Sequence, residues 1–204
     1  MRILAISPHP DDFEIGCGGT LLKYAQQGAD ITALILTDGS LGGATETRRA
    51  EQEASAEIIG IRQVIWGDFK DADLPGDRAV IDTIEEILRE IRPTFLFVPF
   101  GQDTHQDHRK VSNAALSATR YSRNVLFYEC PTSVNYHPTI FVDIGAEFED
   151  KIAALESHRS QVERTHIEGL PITEIARSMA HFRGTQSRVS HAEGFQAVRL
   201  FINL

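Results

Sequence analysis

Short apolar runs rich in β-branched and aromatic residues alternate along the chain with segments of helical spacing. The runs are Ile3–Ser7, Ile31–Thr37, Val64–Trp66, Thr94–Pro99, Val125–Tyr128 and Ile140–Val142, and "GFQAVRLFINL" at residues 194–204 reads as a last strand. The spacing predicts helices over Thr20–Gln27, Glu46–Ile59, Ala79–Ile91, His108–Thr119, Glu149–Gln161 and Ile172–Arg183. Strands that alternate with helices pair in parallel through crossovers, and each crossover helix lies on a face of the sheet. The expected fold is therefore α/β, a single Rossmann-like domain over residues 1–204 with a mostly parallel sheet and helices on both faces.

Composition narrows the partners. At 204 residues and 42% hydrophobic, the chain is long enough for one full core and one site. The 20 basic residues are outnumbered by 29 acidic ones, for a net charge of −9, which argues against nucleic acid or an anionic membrane as partner. No apolar run approaches the roughly 20 residues of a membrane span, and Pro8 interrupts the first run too early for a secretory segment. A cytoplasmic location is expected. Cys17 and Cys130 form no CxxC pair and read as free thiols.

In an open α/β sheet, ligands bind beyond the carboxyl ends of the strands. That rule nominates Ser7–Gly19, Asp38–Thr47, Asp68–Pro75 and Phe100–His108. Within the first, "SPHPDDFEIGCGG", the glycines invite a dinucleotide reading, but G-x-G-x-x-G counted from Gly16 would need glycine at Leu21. The plainer expectation is that Gly16, Gly18 and Gly19 permit a tight entry into the following helix. The same stretch and "GQDTHQDHR" put His9, Asp11, Asp12, Asp103, His105, Asp107 and His108 on one edge of the sheet. Carboxylates gathered beside histidines must be paired, hydrogen-bonded or metal-bound, and two histidines with one carboxylate suit a hydrolytic zinc centre.

His9-Pro10-Asp11-Asp12, Glu14, Gly18-Gly19-Thr20 and the later "HQDH" resemble the LmbE-like, or PIG-L, family of zinc-dependent N-deacetylases. "TDGSLGG", "ETRRAEQEASAEIIG", "HRSQ" and "AEGF" resemble further family segments in the same order, so the likeness spans nearly the whole chain. The resemblance implies zinc bound by His9, Asp12 and His108, and Asp11 as general base. It also implies His105 near the substrate carbonyl, oriented and kept cationic by Asp107. Capping of the next helix is the competing role for His105. Ferrous or manganous ion suits the same ligand set.

Among supporting residues, Arg48 matches a family arginine that holds the substrate, with Arg49 as its alternative. Asp38 stands where it could contact a sugar. Glu14 would orient the loop or a ligand histidine, and His158 reads as structural. Gln106 replaces a common proline, and His191 replaces a tyrosine associated with the active site, which makes it a candidate substrate contact. The implied function is removal of an N-acetyl group from a small GlcNAc-like molecule by a homo-oligomer, trimer or hexamer. A metal- and sugar-binding module without turnover, or a hydrolase of another amide or ester, is the alternative.

Overall fold

The computed structural model describes residues 1–202. Strands β1 (Arg2–Ser7), β2 (Asp30–Thr37), β3 (Gln63–Phe69), β4 (Phe95–Pro99), β5 (Val125–Tyr128), β6 (Ile140–Asp143) and β7 (Ala192–Arg199) form one sheet in the order β3-β2-β1-β4-β5-β7-β6. Helices α1 (Asp12–Gln26), α2 (Thr45–Ile59), α3 (Asp77–Ile91), α4 (Gln106–Ala118), α5 (Phe148–Glu156) and α6 (Ile172–Ser187) connect them. Pairing is parallel from β3 through β5, and antiparallel where β7 runs between β5 and β6. The mostly parallel α/β sheet expected from the sequence is what forms.

Alternation along β1 divides the core. Ile3 and Ala5 face Phe13, Cys17 and Leu21 of α1, with Ile59 of α2 and Ala154 of α5 in the same cluster. Leu4 and Ile6 face Val80, Ile84 and Ile87 of α3 and Val111, Ala114 and Ala115 of α4. The spacing of Val80, Ile84 and Ile87 puts all three on one stripe of their helix. Helices thus cover both faces.

Several boundaries move. The first helix starts at Asp12, not Thr20, so Gly16, Gly18 and Gly19 lie inside it. Gly16 and Gly19 are there for close approach. A Cβ on Gly16 would stand 2.2 Å from Tyr128 Cδ2, and one on Gly19 would stand 2.9 Å from Ile144 Cδ1. The expected Glu149–Gln161 helix stops at Glu156, because His158 and Ser160 turn inward to Glu14 and Glu51. The sixth helix continues past Arg183 to Ser187. The last strand begins at Ala192 and ends at Arg199; the part of that expectation at Asn203 and Leu204 lies outside the described residues.

β1 lies between β2 and β4, and the chain runs outward from this pair in both directions. The loops after β1 and β4 diverge there and leave a crevice, the switch point at which open α/β sheets bind ligands.

Candidate metal centre and its cavity

The loop after β1 is held at successive backbone atoms. Ser7 Oγ donates to the His9 carbonyl at 2.8 Å, Thr37 Oγ1 to the Pro8 carbonyl at 2.8 Å, and Arg48 Nη2 to the Pro10 carbonyl at 2.6 Å. Asp11, just before α1, has φ 94°, a left-handed backbone that costs a non-glycine residue about 1–3 kcal/mol and persists where surroundings impose it. The turn separates two adjacent acids. Asp12 Oδ2 accepts from the His9 N–H at 2.9 Å and lies 3.1 Å from His9 Nδ1, while Oδ1 lies 3.2 Å from His108 Nε2. Asp11 instead stands 3.5 Å from Arg48 Nη2.

The second motif caps α4. His105 Nδ1 accepts from the Asp107 N–H at 3.2 Å, so the neutral ring carries its proton on Nε2. Asp103 Oδ1 accepts from the His105 N–H at 2.8 Å, and its Oδ2 stands 3.2 Å from His108 Nδ1. Here the structure corrects one expectation. The Asp107 carboxylate serves His9, with Oδ2 3.1 Å from His9 Nε2, and accepts the Ala72 N–H at 2.9 Å; it does not orient the His105 ring. Asp71, in the loop after β3 and marked by no motif, adds a second carboxylate 3.2 Å from His9 Nε2.

Charge follows from this packing. Burial opposes charge on His9, but Asp107, Asp12 and Asp71 outweigh it and raise its pKa well above the usual imidazole value. His108 is raised for the same reason, burial being overcome chiefly by Asp12. Asp12 is held well below the carboxylate range, its burial overcome by His108 and His9. Asp11 goes the other way: burial pushes it up to about 6 against the pull of Arg48. His105 is lowered by burial and by its histidine neighbours, which favours the neutral ring.

The donor set fits a divalent cation. His9, His105 and His108 offer ring nitrogens within 4.8 Å of one another, and the Asp12 oxygens reach both His9 and His108. Asp11, Asp12, Asp71, Asp103 and Asp107 face one guanidinium, that of Arg48, among the described ion pairs. The positive charge this cluster draws onto His9 and His108 is the charge a metal would bring.

A cavity of about 480 Å³ opens over these groups, within the range of small-molecule sites. His9, Asp11, Asp12, Arg48, His105 and His108 line it, opposite an apolar wall that includes Ile15, Ile172 and Ile175. Two expected substrate contacts are not in the lining. Asp38 Oδ1 instead accepts from the Ser40 and Asp71 N–H groups, both at 3.1 Å, and so ties two loops together. His191, just ahead of β7, stacks on Phe148 with ring centroids 3.8 Å apart. Arg49 ion-pairs with Asp68 outside the cavity, leaving Arg48 as the arginine of that pair that reaches it. Glu14 is fully buried and accepts from Gln52 at 2.6 Å and Ser55 at 2.8 Å, with His158 Nε2 at 3.3 Å, bracing α1 against α2. Cys17 and Cys130 are buried free thiols.

A switch-point crevice floored by two imidazoles and a shared carboxylate, with a further acid of raised pKa beside them, has the make-up of a metal-dependent hydrolase site, and the homologues of this chain are named deacetylases. The model of the PIG-L family, described as GlcNAc-PI de-N-acetylase, matches residues 4–119, and the chain belongs to that family. It is 32% identical to a diacetylchitobiose deacetylase of Thermococcus kodakarensis over 97% of this chain and 83% of that one. A probable N-acetyl-α-D-glucosaminyl L-malate deacetylase 2 of Bacillus cereus is 28% identical over 79% of this chain and 84% of its own length. Among solved structures, an N,N'-diacetylchitobiose deacetylase from Pyrococcus horikoshii superposes with a TM-score of 0.84 at 28% identity, covering 97% of this chain and 83% of that one. No helix among the described residues is long and apolar enough to cross a membrane.

Proposed function

We propose that this protein hydrolyses the N-acetyl group of a small GlcNAc-like sugar, releasing acetate and a free amine, with His9, Asp12 and His108 as the ligands of a catalytic zinc. The observation that carries the reading is Asp12 in contact with both histidines while Asp11, the preceding residue, faces the same cavity. Relatives named for diacetylchitobiose and for N-acetylglucosaminyl malate support the sugar class.

A bound divalent cation supplies a Lewis acid and lowers the pKa of a water, to about 7 in zinc hydrolases. Asp11, ionised above about 6, accepts the proton of the attacking water and returns it to the departing amine nitrogen. Neutral His105 donates from Nε2 to the carbonyl oxygen as negative charge develops there. Asp107 and Asp71 fix the His9 ring through Nε2, and Asp103 faces Nδ1 of His108. Arg48 anchors the Pro10 carbonyl and so sets the turn that presents Asp11.

The test is a panel of N-acetylated mono- and disaccharides incubated with zinc-loaded protein, assayed for acetate and new primary amine in equal amounts. Metal analysis of the protein as isolated distinguishes zinc from iron and manganese, and light scattering checks the homo-oligomer that forms part of this reading. A panel that yields neither acetate nor amine overturns the proposed activity.

A further inference from the structure

Lys151 of α5 and Glu193 of β7 take no part in the chemistry above and do not line the cavity. They are 2% and 4% exposed, with Lys151 Nζ 2.6 Å from Glu193 Oε1. Both reach into the backbone of α1. The N–H groups of Gly19 and Thr20 donate to Glu193 Oε1 and Oε2 at 2.9 and 2.7 Å, and Lys151 Nζ donates to the Ile15 carbonyl at 2.7 Å.

In an α-helix the Gly19 N–H is the ladder partner of the Ile15 carbonyl. The ion pair therefore stands across that rung, with its acceptor on the N–H side and its donor on the C=O side. Side chains inserted into the ladder are an identifiable cause of helix bending. Burying two charges costs several kcal/mol each, and an apolar pair of similar volume would pack as well. An apolar pair could not hydrogen-bond to the backbone groups at both ends of that rung.

We propose that Lys151 and Glu193 are positioning residues for the first turn of α1: by standing across the Ile15–Gly19 rung they set how far Asp11 and Asp12 project toward His9, His108 and the cavity. The role given to those two acids rests on the function proposed above, whereas the geometry can be read without turnover, through metal affinity.

The test replaces both members at once, as Lys151→Met with Glu193→Met, and measures zinc affinity by chelator competition alongside kcat and KM on the best N-acetyl sugar. The folded double variant should lose about 10-fold or more in both zinc affinity and kcat, with KM within about 2-fold of the parent. A purely structural pair would shift the melting temperature and leave those ratios alone, so a folded double variant with parental zinc affinity and kcat overturns the proposal. Should that variant fail to fold, Glu193→Gln keeps one acceptor and removes the charge; it should show the same drop in zinc affinity, and undiminished affinity there is equally fatal. A parent that cleaves no N-acetyl sugar, combined with variants that lose zinc, would sink the deacetylase reading and leave this one standing.

Discussion

Asp107 Oδ2 lies 3.1 Å from His9 Nε2, so an acid of the second motif holds a histidine of the first. The contact joins the loops after β1 and β4 across the switch point of the sheet. Asp107→Asn should keep the fold and lower zinc affinity by about 10- to 100-fold, the usual cost of losing a partner that orients a metal ligand. Chelator competition against the parent measures it; equal affinities would mean that Asp71 alone orients His9.

Asp11 faces the cavity without contacting either of the proposed ligand histidines among the described ion pairs. Asp11→Asn should therefore retain one equivalent of metal and lose about 10²- to 10⁴-fold in kcat, the range expected for removal of a general base. His108→Ala should lose the metal itself. Metal content and turnover measured on the same preparations separate the two effects, and an active Asp11→Asn enzyme would exclude Asp11 as the base.

The glycines of α1 differ in what surrounds them. A methyl on Gly16 would sit 2.2 Å from the Tyr128 ring, whereas one on Gly18 meets nothing closer than 3.8 Å. Gly16→Ala should overpack the α1–β5 contact by about 1–3 kcal/mol, lowering the melting temperature by roughly 3–10 °C. Gly18→Ala should raise it by about 2–3 °C, because alanine is the better helix former. Thermal unfolding of the two variants gives opposite signs if the packing is as described.

His158 and Glu14 form a pair with no exposure on either side chain. Burial opposes charge on His158, and Glu14 outweighs it, so the folded pKa lies above the ordinary value. A raised folded pKa gives stability that is fully present below about pH 6.5 and is lost as pH rises through the folded value. The stability gap between the parent and His158→Gln, measured in chelator, should be widest at acidic pH and narrow as pH rises through the folded value. A gap that widens with pH would reverse the assignment of charge.

The alternation of strands and helices was legible because each element repeats its period over several residues, and the site's edge followed from the strand ends. Which acid meets which histidine was not. Asp107 is two residues from His105 in sequence, yet the first turn of α4 sends its carboxylate toward β1 and the loop after β3, and no local pattern encodes that direction. No local pattern marks Asp71, because it lies in a loop without a motif and its position depends on Asp38 accepting its N–H. The glycines misled for a related reason. Gly16 and Gly19 read as part of a helix entrance when only the nearness of Tyr128 and Ile144, remote in sequence, explains them. The sequence neighbours of His191 point it toward the site, whereas in space its ring stacks on Phe148.

Pairing of β1 with β4 through Ile3–Phe95, Leu4–Leu96 and Ala5–Phe97 is what brings the proposed ligands together. During synthesis, His9 and Asp12 leave the ribosome long before His108 exists, and until β4 docks they are two donors on an unfinished edge. Uptake of a metal at the proposed ligands therefore has to wait for α4, and a chain stopped anywhere before α4 lacks His108 and cannot complete that set.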